Sequence, residues 1–150
     1  EALANPYDEK VSLSRTFIQI PILKDIITDQ HYSQRNRQGR HITFLARMKK
    51  DFGLVAKGIA VDEKTAVCIE ENGDVTVYGE NKAFFIAAGK NGPEICSTGS
   101  PLHWYQNKKA VGVHVFNGNS EGRVVFNILD WKSNKPHQYW YVEHGTLKGN

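Results

Sequence analysis

Little in this sequence could cross-link a chain, hold a metal or span a bilayer. It has two cysteines in 150 residues, Cys68 and Cys96, too few to define a disulfide framework. Cys68 lies in the apolar run Thr65-Ala66-Val67-Cys68-Ile69, where a buried free thiol is the usual reading, and Cys96 lies in a Gly/Pro/Ser-rich loop. A bridge between them in an oxidising compartment stays open. The six histidines are scattered and no cysteine pair has zinc-ligand spacing, so no metal and no other cofactor is expected. No apolar run approaches the roughly 20 residues of a membrane span. No signal-peptide pattern is present either, which leaves the compartment open, with secretion weighed above the cytoplasm. The net charge of +3 is small and spread along the chain. Lys49-Lys50 and Lys108-Lys109 are only pairs, so no nucleic-acid partner is expected.

One further absence bears on chemistry. The serines are Ser12, Ser14, Ser33, Ser97, Ser100, Ser120 and Ser133, and none stands in the Gly-x-Ser-x-Gly setting that makes a strained strand-to-helix turn. Thr98-Gly99-Ser100-Pro101 comes closest, but Pro101 sits where a helix N-terminus and an amide donor are needed.

The apolar content of 40% and charged content of 23% suit one globular domain with a core. Residues 1–16 are polar, with Asn5-Pro6-Tyr7-Asp8 as a turn. Phe17-Ile18-Gln19-Ile20-Pro21 leads to a short strand, Ile26-Ile27-Thr28. Ser33 is a candidate N-cap for a helix from about Gln34 to Phe52, ended by Gly53, with His41, Phe44, Leu45, Met48 and Phe52 forming its apolar face. After Gly58 the period becomes that of strands: 59–61, 65–70, 75–78 and 83–87, then 110–116, 123–129 and 140–142. Glu71-Asn72-Gly73-Asp74 marks a hairpin, and Asn117 to Gly122 a second one. The aromatics Trp104, Tyr105, Trp131, Tyr139, Trp140 and Tyr141 read mainly as filling a small β core or covering an edge.

The densest chemistry lies in Asp29-Gln30-His31-Tyr32-Ser33-Gln34-Arg35-Asn36-Arg37-Gln38-Gly39-Arg40. A histidine at a strand end beside clustered guanidinium groups reads as a site for anionic or carboxylate ligands, or else as a solvated basic helix start. This segment resembles the histidine motif of cyanophycinases, serine exopeptidases on a class I glutamine-amidotransferase-like fold. Glu1 to Asp8 resembles the loop after that family's nucleophile helix. Gly58-Ile59-Ala60-Val61-Asp62-Glu63-Lys64-Thr65-Ala66 resembles its Gly-Ile-x-(Val/Ile)-Asp-Glu-x-Thr-Ala strand. The tail from Trp131-Lys132-Ser133 to Leu147 resembles a C-terminal extension of some relatives.

The resemblance implies the C-terminal half of a three-layer α/β/α fold over residues 1–100, with a β-rich aromatic extension over 101–150. It implies hydrolysis of aspartyl or β-aspartyl amide bonds, with His31 as triad base and Glu1 as the acid that orients it. Glu63 is the rival acid, or a structural support. Asp29, Gln30, Arg35, Arg37 and Arg40 would form the substrate pocket. Because the serine elbow is missing, activity would need an N-terminal chain of the same precursor, with room for a higher homo-oligomer. A catalytically silent binding, storage or structural protein is the alternative.

Overall fold

The computed structural model describes residues 1–14, 19–131 and 135–149. The expectations for Phe17, Ile18, Lys132 and Ser133 lie outside the described residues. In chain order the elements are β1 (Ile26–Asp29), α1 (Gln38–Phe52), β2 (Lys57–Val61), β3 (Thr65–Ile69), β4 (Asp74–Gly79), β5 (Lys82–Ala88), β6 (Val111–Asn117), β7 (Val124–Asn127), β8 (Gln138–Glu143) and β9 (Thr146–Gly149). They form a six-stranded sheet, ordered β1-β2-β5-β6-β8-β9, and a three-stranded sheet, ordered β3-β4-β7. Only β1 and β2 pair in parallel; every other pairing between these strands is antiparallel.

Alternation along the central strands explains the layering. On β5, Ala83 and Phe85 face one way, while Phe84 and Ile86 face the other. The first pair packs against Val75 and Val77 of β4 and Phe126 of β7, with Trp131 closing the cluster. The rings of Phe85 and Phe126 are 4.8 Å apart. The second pair joins Ile42, Leu45 and Ala46 of α1, together with Leu102, Trp104, Trp140 and Val142. The large sheet is therefore covered by the helix and loops on one face and by the small sheet on the other.

This corrects the α/β/α expectation. Among the described residues strand accounts for 37% and helix for 15%, and α1 is the one α-helix. Beyond Gly58 the residues keep a period of two broken by turn signals, so no helix is available for the second face. A small sheet with its own apolar face fills that role. Strands from both sides of residue 100 share the large sheet.

Three local expectations also change. The helix starts at Gln38, with Arg37 at the N-cap and no side-chain cap, because Asn36 stands at φ 49 and breaks the helical turn that Ser33 would have capped. Its buried face centres on His41, Ile42, Leu45 and Ala46, not on the stripe through Phe44, Met48 and Phe52; Phe52 is exposed. The link from β6 to β7 is no hairpin: the two strands lie in different sheets. It crosses where Gly118 lies against Gly79, so close that a Cβ on Gly118 would stand 2.5 Å from the Gly79 carbonyl oxygen. The Asn72-Gly73 turn does join β3 to β4 as a hairpin, with Gly73 at φ 87. Gly53 ends α1 at φ 68. Both cysteines are free, Cys68 exposed on β3 and Cys96 buried on the helix side. No helix among the described residues is long and apolar enough to cross a membrane.

Candidate functional site

The two parallel strands point the same way, and Asp29 of β1 is in register with Ala60 of β2. Whatever follows each strand therefore emerges side by side, the geometry by which carboxyl ends of parallel strands gather functional groups. His31 and Glu63 each stand two residues beyond their strand. Nδ1 of His31 lies 2.8 Å from Oε1 of Glu63. An ionised carboxylate only accepts, so the neutral imidazole carries its proton on Nδ1 and presents a lone pair at Nε2. Nε2 has no hydrogen-bond partner among the described residues. The side chains are 39% and 46% exposed, so water screens the pair and its effect is mainly orientation.

Backbone bonds hold the two loops together. Tyr32 N–H donates to the Val61 carbonyl (3.1 Å), Ser33 N–H to Oδ1 of Asp62 (2.8 Å) and Glu63 N–H to Oε1 of Gln34 (3.1 Å). Asn81 Nδ2 donates to the Glu63 carbonyl at 2.8 Å. Each loop also contains a residue with a side chain in the left-handed region, His31 at φ 50 and Lys64 at φ 55. Such a conformation costs about 1 kcal/mol or more and persists only where neighbours enforce it.

Below the loops Tyr32 and His41 are fully buried, their rings edge to face at 5.6 Å. His41 Nε2 donates to the Ile27 carbonyl at 3.1 Å, while its Nδ1 has no partner. Burial pushes the His41 pKa down to about 4, against the opposing pull of Asp29 and the Ile27 carbonyl. Burial likewise pushes the Tyr32 phenol well above its ordinary value.

Asp29 is the centre of a separate ion-pair cluster. Arg40 clamps it with two parallel bonds, Nε to Oδ2 at 2.9 Å and Nη2 to Oδ1 at 2.7 Å. Arg37 Nη1 reaches Oδ1 at 3.2 Å and the Gln30 carbonyl at 2.8 Å. Burial alone would raise the Asp29 pKa, but the Arg40 guanidinium and the Gln30 N–H outweigh it and hold the carboxyl below its ordinary value. Two of the three arginines thus converge on one internal carboxylate. Arg35 is exposed and makes no ion pair among the described residues. The Gln30 side chain is also exposed.

Glu1 is not brought to His31. Its carbonyl accepts the Ala4 and Asn5 amides, and it lines a cleft shared with Asn36, Gly39 and Arg40. Arg47 fixes this N-terminal segment on the helix: its guanidinium stacks 3.9 Å from the Tyr7 ring and donates to the Pro6 and Val11 carbonyls. The acid that meets the imidazole is Glu63. Gln34, Asp62 and Asn81, which brace the pair, carry no signal in the sequence beyond lying near strand ends. No serine, threonine or cysteine is hydrogen-bonded to His31 among the described residues. None of the described residues form a group of three or more metal-ligand side chains.

No family model matches the chain, and no curated protein matches it either.

Proposed function

We propose that this chain carries the general base of a serine-type amide hydrolase, of the kind that cyanophycinases represent, acting on aspartyl or β-aspartyl bonds with a nucleophilic serine supplied by a second chain. The observation that carries this reading is the His31–Glu63 pair, with one imidazole nitrogen held by a carboxylate and the other unengaged. In the reaction Nε2 takes the serine proton as Oγ attacks the amide carbonyl. Glu63 steadies the imidazolium through Nδ1–H, and the proton then passes to the leaving amine. Water repeats the cycle on the acyl-enzyme. Arg35 and the unengaged Nη1 of Arg40 leave guanidinium capacity for a substrate carboxylate. β1 is outermost in its sheet among the described residues, so a strand of the second chain could pair along it toward the end that delivers His31.

One observation favours a silent binding or structural protein instead: Asp29 already satisfies Arg37 and Arg40 from within. Both readings are separable by experiment. The protein is isolated with its bound second chain, treated with a fluorophosphonate and assayed on a β-aspartyl-arginine dipeptide. The enzyme reading expects a labelled serine on the second chain, and His31→Ala should abolish both labelling and hydrolysis while the complex survives. Nitrogen NMR should find the Nδ1–H tautomer of His31, lost in Glu63→Ala. Undiminished hydrolysis in His31→Ala refutes the assignment, and an intact complex without hydrolysis supports the silent reading.

A further inference from the structure

Asparagine–glycine steps occur at Asn72-Gly73, Asn91-Gly92 and Asn117-Gly118. At such steps the glycine, lacking a Cβ, leaves its backbone nitrogen open to attack the preceding side-chain amide. The attack needs a glycine N–H that is free to lose its proton and an amide free to swing toward it.

The fold treats the three steps differently. Gly73 N–H donates to the Glu70 carbonyl at 2.9 Å, and both polar atoms of the Asn72 amide are engaged with Asp74. Gly118 N–H donates to the Asn81 carbonyl at 2.7 Å, and Asn117 is held extended in β6 opposite Lys82. Gly92 N–H has no acceptor among the described residues. Asn91 is exposed and its amide makes one bond, from Nδ2 to Oε1 of Gln106 at 3.1 Å. Two steps are locked, and one is open.

We propose that Asn91 is a fold-selected site of deamidation. Gly92 nitrogen, its proton taken by hydroxide, bonds to Cγ of Asn91. The bond from Cγ to the side-chain nitrogen breaks, and ammonia leaves with a proton from water. Water then opens the cyclic imide at either carbonyl, leaving aspartate or isoaspartate. The net change consumes one water and releases one ammonia, with no oxidation or reduction.

The product alters a built contact. A carboxylate at 91 can no longer donate to Gln106 and would face its Oε1 acceptor. Gln106 already donates Nε2 to Oε1 of Glu94 at 2.8 Å, and Glu94 also accepts the amides of Tyr105 and Gln106. That clasp pins a turn whose residues Gln106, Asn107 and Lys108 stand at φ 44, 54 and 65. Conversion therefore places a new negative charge beside an acidic clasp and loosens the turn.

The test ages the folded protein in mildly alkaline buffer beside a sample held in urea. Each is digested with a Glu-specific protease, and the one-dalton gain and the isoaspartyl isomer are followed at each step. In the folded sample Asn91 is expected to convert about fivefold or more faster than Asn72 and Asn117, since each of those must first release a hydrogen bond. In urea the rates should approach one another. Asn91→Ala should abolish the acidic charge variant that accumulates on ageing. If Asn72 or Asn117 keeps pace in the folded sample, or if the same ordering persists in urea, the proposal is overturned.

Discussion

Lowering the pH from about 7 toward 4 should destabilise this protein before most of its carboxylates titrate, chiefly through His41. The ring is fully buried beneath the site, with Nε2 bonded to the Ile27 carbonyl and Nδ1 facing no partner. Its pKa falls from 6.5 to about 4, so between those values the unfolded chain binds a proton that the folded chain refuses. Stability is full above pH 6.5, declines as the pH falls through the window, and loses nothing more to this group below about 4. The gap corresponds to about 3 kcal/mol, a large share of the roughly 5–15 kcal/mol that holds a domain folded. His114, buried against Phe126 and also pushed down by burial with His137 adding to it, acts in the same direction. Asp29 does not confuse the window, because its depressed pKa keeps its contribution until the pH falls below its ordinary 3.8. Urea unfolding followed by fluorescence of the buried Trp104, Trp131 and Trp140 measures the loss. His41→Gln keeps a donor for the Ile27 carbonyl without a titrating ring, so it should remove most but not all of the slope. A wild-type stability that stays flat to about 0.5 kcal/mol across the window, or a His41→Gln slope equal to the wild type's, would refute the reasoning.

A second consequence of His41 concerns the strand beneath it. A Cβ on Gly58 would stand 2.4 Å from His41 Nε2, so Gly58→Ala should cost about 2–4 kcal/mol through overpacking and loss of the Ile27 bond; a change under 0.5 kcal/mol in the same unfolding assay would contradict the packing. Asp29→Asn should cost about 2 kcal/mol by leaving the Arg37 and Arg40 guanidinium groups short of a charge, with the Asp29 side chain only 4% exposed. Arg35→Ala should stay within about 0.5 kcal/mol of wild type, and equal effects of these two substitutions would mean that the arginine cluster is not organised around Asp29.

Much of the local structure was legible from the residues because it depends on short-range chemistry. Asn72-Gly73 specifies a tight turn wherever it sits between strand-like runs, and Gly53 ends a helix because its left-handed φ suits glycine. The aromatics at 104, 131 and 140 are buried, as their size favours. The helix start was misread for an equally local reason. Ser33 looks like a cap, yet Asn36, three residues on, stands at φ 49 and breaks the turn before Gln38. The second sheet was missed because the resemblance supplied helices that the strand period after Gly58 does not.

The candidate site divides in the same way. The sequence alone put His31 at a strand end, since an apolar run followed by Asp29-Gln30-His31 leaves few alternatives, but it read the arginines as facing a ligand, whereas Arg37 and Arg40 close on Asp29. The resemblance put Glu1 ahead of Glu63, although neither acid is tied to His31 by any local period. The parallel pairing of β1 with β2 made that choice: the Asp29–Ala60 register brings the two strand ends together and seats Glu63 at 2.8 Å from the imidazole. The same long-range pairing sends Glu1 with the segment that Arg47 fixes on the helix. Local propensity determined which residues turn and bury, whereas contacts between distant segments, which only a packed chain can bring together, decided which acid faces His31.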